Sequence, residues 1–177
     1  VLPVAAIMMG IGYAMCPATM QGGDVTGIVQ IIGFALVKIG SAVIDKLPML
    51  FAVGVAIGLS KDQHGAAGLA GLVAFLTVTT VLNSGVVATM MGAEEAPLAF
   101  TKIDNAFIGI ISGITASVCY NKFSSAQLPT ALAFFSGKRC VPIVTSFVMV
   151  AESAILYFVW PMLFNALVWV GEHIMGL

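Results

Sequence analysis

The chain has 177 residues, of which 60% are hydrophobic and only 8% are charged, and its formal net charge at pH 7 is −1. A soluble domain carries charge on about a quarter of its residues, so this composition excludes a soluble globular protein. The sequence also lacks the basic patch that a nucleic-acid-binding protein needs. It predicts an all-α integral membrane protein that is surrounded by a lipid bilayer.

Five stretches are apolar enough to cross a bilayer as helices, which takes about 20 residues each. In chain order they are residues 1–20, 41–60, 66–82, 105–121 and 141–170. Residues 26–39 differ, because Gln30 and Lys38 interrupt apolar positions that recur at helical spacing. That pattern predicts an amphipathic helix along the membrane interface. The turn at residues 21–24 and the polar segments 61–65 and 83–104 separate these elements.

Both ends of the sequence fall inside or beside apolar runs. Val1 stands where a complete chain would have methionine, and no basic segment precedes the first apolar run, which disfavours a signal peptide. An odd number of spans with no closing segment is typical of part of a larger protein. We therefore expect the natural chain to extend beyond these residues.

Charge predicts the orientation in the membrane. Lys138 and Arg139 lie side by side just before the last span, and basic residues at the end of an apolar segment mark the cytoplasmic side. The segment 61–65 then lies on that side as well, and most acidic residues lie outside. This arrangement predicts a cytoplasmic N-terminus and an external C-terminus.

Small residues predict one helix-packing surface. Gly109, Gly113 and Ser117 recur at every fourth position of one span, as in helices that pack closely within membranes. Asp104, just before this span, is a candidate N-cap.

No group of residues forms a catalytic or metal-binding motif. Cys16, Cys119 and Cys140 lie far apart, without a CxxC pair, and are interpreted as free structural thiols rather than disulfides or metal ligands. Trp160 and Trp169 lie toward the outer end of the last span, as aromatic residues do at membrane interfaces.

Glu152 is an ionisable residue within the last span, about 11 residues from its start and so near mid-membrane. An intramembrane carboxylate is a functional hypothesis by default. In one interpretation Glu152 couples ion movement to transport, as in half of a secondary transporter. In the other it is protonated or hydrogen-bonded to Ser or Thr at a helix interface, since the sequence offers no obvious intramembrane cation.

Four segments, in order, resemble one family. The string FFSGKRCVPI, residues 134–143, resembles the FxGKRxVPI cytoplasmic loop of enzyme IIC, the membrane subunit of the phosphoenolpyruvate-dependent sugar phosphotransferase system, glucose branch. LPVAAI near the start, residues 51–75 and residues 107–123 are similar to further family segments. QGGDVTG and AFTKIDNAFIGIISG resemble the N-acetylglucosamine type most closely, while glucose and maltose types remain open.

The resemblance implies that residues 1–177 are the N-terminal scaffold and dimerisation half of an enzyme IIC domain. The family's GITEP-type glutamate and GLHH element are absent from this sequence. Most sugar contacts are therefore expected in the other half, and no substrate-binding or catalytic residue is assigned here, although the complex as a whole is a transferase.

The resemblance also implies partners. They are a sugar substrate, a phosphorylating IIB domain and a second copy in a homodimer, in the bacterial inner membrane and without a cofactor. Lys138 and Arg139 would face the IIB domain, or else serve only as topology anchors. A purely structural oligomerisation module is a further alternative.

Overall fold

A computed structural model describes residues 1–18 and 23–176, and within these residues every regular element is helical. The predicted all-α class is therefore confirmed. The described residues form eight α-helices, which are α1 (Leu2–Met15), α2 (Ile28–Asp45), α3 (Leu47–Gly58), α4 (Gly65–Val81), α5 (Ser84–Met91), α6 (Leu98–Thr101), α7 (Ala106–Phe123) and α8 (Cys140–Met175). Two 3-10 helices, Thr130–Phe135 and Gly137–Arg139, precede α8.

The described helices include several that could cross a membrane. Three are long and apolar enough by themselves, namely α2, α7 and the stretch Gly137–Met175 that contains α8. Helices α4 and α5 together would make a fourth crossing, with a bend of 47° between them. Helices α1 and α3 are apolar but shorter.

The chain forms two compact units, and the first is Val1–Leu47. In it α1 and α2 pack with their backbones close together. A Cβ atom on Gly12 would lie 2.6 Å from the Gly33 carbonyl oxygen, and one on Gly40 would lie 2.7 Å from that of Ala5. Small residues allow this approach, which favours helix association in lipid. The end of the predicted first span and half of the 21–24 turn lie outside the described residues.

The prediction for residues 26–60 was wrong in its boundaries. Residues 26–39 are mostly the first part of α2, which continues to Asp45 and is itself long enough to cross a membrane. The two polar residues that suggested an interfacial helix do not interrupt it. Gln30 accepts a 2.8 Å hydrogen bond from the Thr26 N–H at the start of the helix, and the Lys38 ammonium lies 5.3 Å from the Phe34 ring centroid.

The predicted span 41–60 is also not one helix, since α2 ends at Asp45 and α3 begins at Leu47. Pro48 explains the break. It has no N–H to donate to the carbonyl group of Ile44, and its ring would clash with that carbonyl.

In the second unit, Pro48–Leu177, α4 packs against α7 and α8, and α3 contacts both α4 and α7. A Cβ atom on Gly71 of α4 would lie 2.6 Å from the Ala52 carbonyl oxygen, and one on Gly113 of α7 would lie 2.8 Å from the same atom. A Cβ atom on Gly109 would likewise clash with the Pro48 carbonyl oxygen. The predicted small-residue packing surface is thus confirmed, and α3 is the helix that it contacts.

The segment 83–104 is more ordered than predicted. Asn83 accepts a hydrogen bond from the Gly85 N–H and caps α5, which Gly92 ends in a left-handed conformation with φ 65°. Asp104 was the wrong candidate for the cap of α7, because the side chain of Asn105 accepts the 3.1 Å hydrogen bond from Ile108.

Helix α8 is longer than the predicted span. Its 36 residues include Pro161 and extend about 54 Å. Trp160 does not belong to an exposed aromatic belt, since it is 2% exposed and its indole N–H donates to the Ala99 carbonyl oxygen at 2.7 Å. A buried tryptophan needs such a partner.

Candidate functional site

Three separate segments of the chain meet at Asp62. The Lys138 ammonium group donates a hydrogen bond to Asp62 Oδ2 at 2.8 Å, and the Tyr120 hydroxyl donates to the same oxygen at 3.0 Å. Asp62 lies in the turn between α3 and α4, Tyr120 near the end of α7, and Lys138 in the short 3-10 helix before α8. We call these three residues the Asp62 cluster.

Neighbouring contacts hold the turn of Asp62 in place. Asn121 accepts a hydrogen bond from the Lys61 N–H at 2.8 Å and donates one to the Leu59 carbonyl oxygen at 3.0 Å. On the other side of the turn, His64 Nδ1 accepts from the Ala66 N–H at 3.0 Å and caps α4. The turn is therefore fixed at both ends by side chains, which positions the Asp62 carboxylate.

The electrostatics of the cluster favour the charged carboxylate. The hydrogen bond from Lys138, followed by that from Tyr120, lowers the pKa of Asp62 from 3.8 to about 2. The Lys138 and Asp62 side chains are 41% and 46% exposed, so water screens the pair and its contribution to stability is modest. The main effect of the ion pair is to join the turn between α3 and α4 to the 3-10 helix before α8.

We expect this cluster to make stability depend on pH in the acid range. Because the pKa of Asp62 is lower in the folded protein, its stabilising contribution is present above about pH 4 and is lost as the pH falls toward 2. The difference in melting temperature between the wild type and Asp62→Asn should therefore be measurable at pH 7 and should shrink between pH 4 and 2.

Thermal melting of the detergent-solubilised protein at several pH values checks this expectation. Asp45→Asn is a suitable control, since Asp45 is exposed and forms no salt bridge within residues 1–18 and 23–176. A melting difference for Asp62→Asn that stays constant down to pH 2 would contradict the assignment.

The two adjacent basic residues of the predicted site contact different groups of the chain. Lys138 binds Asp62, whereas the Arg139 guanidinium lies 4.7 Å from the Phe134 ring centroid and Nη1 donates to the Phe134 carbonyl oxygen at 3.4 Å. Phe134 is 70% exposed, and Leu132 and Phe135 beside it are also exposed. Arg139 thus lies on an exposed aromatic surface, which we call the Arg139 surface (Leu132, Phe134, Phe135 and Arg139).

Glu152 lies apart from both groups, on α8 against α7. The Thr115 hydroxyl donates a hydrogen bond to Glu152 Oε2 at 2.7 Å. Among the described residues the second carboxylate oxygen, Oε1, has no hydrogen-bond partner, and the single salt bridge found there is that of Lys138 with Asp62. The described part of the chain therefore supplies a hydroxyl, and no cation, to this carboxylate.

Sequence reasoning identified Lys138 but missed Asp62, Tyr120 and Asn121. The sequence placed the polar segment 61–65, which contains Asp62, on the cytoplasmic side and assigned it no further role. Its signal was available, because a short turn with Lys61, Asp62 and His64 stands between two apolar helices on the side assigned to Lys138.

The family model described as "Phosphotransferase system, EIIC" matches residues 1–177. Over 138 residues, which are 78% of its length, this chain is 39% identical to the PTS system N-acetylglucosamine-specific EIICB component of Bacillus subtilis (strain 168). The aligned region is 28% of that relative's length, so the chain is similar to only part of it.

Proposed function

We propose, because this chain belongs to the phosphotransferase system EIIC family, that it forms the N-terminal half of a membrane channel for sugar uptake coupled to phosphorylation. The channel admits a hexose, either N-acetylglucosamine or glucose, and presents it to a phosphorylating IIB domain. The chain's role is then to bind and position the sugar, which accelerates a transfer step without supplying covalent chemistry.

The observation that carries this proposal is the family match over the whole chain, together with the relative at 39% identity. The name of that relative favours N-acetylglucosamine, and its EIICB designation supports a IIB domain as partner. Its much greater length supports a chain that works with further domains.

We infer a topology of five crossings with a cytoplasmic N-terminus and an external C-terminus. In it α1 leads outward, the chain is back on the cytoplasmic side at the turn before α4, α4 with α5 leads outward, α7 returns and α8 leads outward. The contact between Asp62 and Lys138 supports this inference, because it requires the turn before α4 and the loop before α8 to lie on the same side.

Accessibility to a membrane-impermeant reagent tests the topology. Single cysteines at positions 24 and 94 should react from outside, and those at 61 and 138 only from the cytoplasmic side. Reaction at position 24 from the cytoplasmic side would contradict the topology of five crossings.

We assign Lys138 and Arg139 to the side that faces the IIB domain. The half exposure of Lys138 and the exposed aromatic groups around Arg139 support this assignment. Interfaces are enriched in aromatic residues and arginine.

We further infer that the protein forms a homodimer. Native mass determination of the full-length parent in detergent tests this inference, and a monomer would contradict it.

The contacts of Glu152 lead us to expect no coupling role. Glutamine in its place keeps an oxygen that accepts the Thr115 hydrogen bond, so Glu152→Gln should change phosphoenolpyruvate-dependent uptake less than twofold. An ion-coupled transporter would lose coupling on the same substitution. Uptake assays in membrane vesicles, with and without an ion gradient, separate the two outcomes.

The function itself is tested with the full-length parent protein in membrane vesicles and a panel of labelled sugars. Uptake should require phosphoenolpyruvate and the general phosphotransfer proteins, and the sugar inside should be phosphorylated. The best competitor in the panel identifies the sugar. Free sugar that accumulates with an ion gradient, and without phosphoenolpyruvate, would overturn the proposal.

A further inference from the structure

A polar pocket lies at the end of the second unit opposite to the Asp62 cluster. Its cavity volume is about 390 Å³, within the range of small-molecule sites, roughly 300 to 1,000 Å³. The residues that matter for its chemistry are Thr80 at the end of α4, Asn83 and Ser84 at the start of α5, Thr101 on α6 and Asp104 before α7. Four short segments thus contribute to one concave surface.

The hydrogen-bonding groups of this pocket are of two kinds. The hydroxyls of Thr79 and Thr101 donate to carbonyl groups of their own helices, at 2.8 Å to Phe75 and 2.6 Å to Leu98. Such hydroxyls are largely occupied by the backbone.

Other groups in the pocket remain open to a ligand. Within residues 1–18 and 23–176, the Thr80 hydroxyl, the Asn83 amide nitrogen, the Ser84 hydroxyl and the Asp104 carboxylate take part in no side-chain hydrogen bond. The Asn83 side chain uses only its oxygen, which accepts from Gly85, and this contact fixes the direction of its NH₂ group. The cap of α7 is Asn105 rather than Asp104, so the Asp104 carboxylate has no helix to cap.

This mixture of groups fits a neutral sugar. A sugar hydroxyl both donates and accepts, so it can donate to the Asp104 carboxylate and accept from the Asn83 amide. A hydrogen bond to a charged group is stronger than one between neutral groups, which makes Asp104 the expected main contact.

The surrounding charge disfavours a phosphorylated sugar. A neighbouring pocket of about 380 Å³ shares Ser84 and Thr101 with the first and is lined by Glu94 and Glu95. Three carboxylates therefore lie around this end of the unit. A phosphate group would be repelled by them.

The position of the pocket relative to the Asp62 cluster indicates which side of the membrane it faces. Helix α4 begins beside the Asp62 turn and ends at the pocket, and its 17 residues extend about 25 Å. Helix α7 begins at the pocket and ends beside Tyr120 of the Asp62 cluster. The two sites thus lie at opposite ends of the same two helices, separated by nearly the thickness of a bilayer core.

We propose that this pocket is an external binding site at which a neutral hexose is held before it passes through the channel. The proposal rests on the proposed function and on the orientation of the Asp62 cluster toward the cytoplasm. It assigns sugar binding to residues of this half of the channel.

The first test separates capture from phosphorylation. In right-side-out vesicles that contain the full-length parent, Asn83→Ala and Asp104→Asn should each raise the KM for N-acetylglucosamine uptake about three- to tenfold, as expected for the loss of one hydrogen bond. In inside-out vesicles, where the sugar reaches the cytoplasmic side directly, phosphorylation should keep its wild-type KM. Thr89→Ala and Asp45→Asn, which lie outside the pocket, are the matched controls.

An equal change of KM on both sides, or none on either side, would overturn the proposal. An equal change would mean that the residues affect the whole channel, and no change would mean that the pocket does not bind the sugar.

The second test detects binding without any transport. The native cysteines Cys16, Cys119 and Cys140 are all buried, so Asn83→Cys introduces one accessible thiol. A membrane-impermeant maleimide should label it from outside, N-acetylglucosamine should slow the labelling, and N-acetylglucosamine 6-phosphate should not.

Labelling only from the cytoplasmic side, or labelling that no hexose of the panel slows, would overturn the external site. Protection by sugar together with a failure to form phosphorylated product would contradict the proposed function and leave the site supported. The two proposals can therefore fail separately.

Discussion

Gly71→Val should prevent the second unit from folding, and the full-length protein should fail to accumulate in the membrane. A Cβ atom at this position would lie 2.6 Å from the Ala52 carbonyl oxygen and 2.7 Å from the Ala56 Cβ atom. Neither neighbour is the end of a flexible side chain, so the helices themselves must separate. Overpacking of a tight core costs about 1–3 kcal/mol or more, and valine adds two methyl groups beyond Cβ.

Gly113→Val on α7 should have a similar effect, because it approaches the same carbonyl group of Ala52. Gly54→Val is the matched control. Gly54 lies on α3 itself, and a Cβ atom there would meet nothing within 4 Å. Membrane accumulation and the melting temperature in detergent measure the effect, and a Gly71→Val protein as stable as Gly54→Val would refute this packing.

Charge reversal at both Lys138 and Arg139 should lower sugar phosphorylation by about tenfold, or 1.4 kcal/mol, while membrane insertion changes little. The expected cause is weaker docking of the IIB domain, because charges at an interface mainly set the rate of association. The measurement is phosphoenolpyruvate-dependent phosphorylation by the full-length protein, compared with the amount inserted in the membrane.

The effects of Lys138 and Arg139 can be measured separately, because the two side chains make different contacts. Lys138→Glu places a second carboxylate beside Asp62 and breaks the 2.8 Å ion pair, so part of its effect should be restored by Asp62→Lys. Arg139→Glu leaves that pair intact and changes only the Arg139 surface. An unchanged phosphorylation rate in the double reversal would refute the docking role and leave both residues as topology anchors.

The sequence predicted those features that depend on local pattern. Apolar runs of sufficient length indicated the helices α4, α7 and α8, and small residues at every fourth position indicated the packing surface of α7. These signals are carried by neighbouring residues on one helix. The family resemblance was carried by four ordered segments, and the comparisons confirm it.

The missed features depend on contacts between distant residues. Asp62 and Lys138 are 76 positions apart. The charge pattern placed both on the same side of the membrane, but it did not show that they pair. Likewise Gln30 and Lys38 suggested an interfacial helix because their polar groups were counted as facing water. In the structure Lys38 is exposed, but the helix continues through both residues to Asp45, well beyond the predicted end at residue 39.

The crossing of α3, α4 and α7 at Ala52 has a thermodynamic consequence. Glycine and alanine have no side-chain rotamers, so the helices associate there without losing side-chain conformational entropy. The same contact also has no alternative rotamers through which it could repack, and its two glycines touch a backbone carbonyl group. Relative motion in this part of the protein must therefore move whole helices.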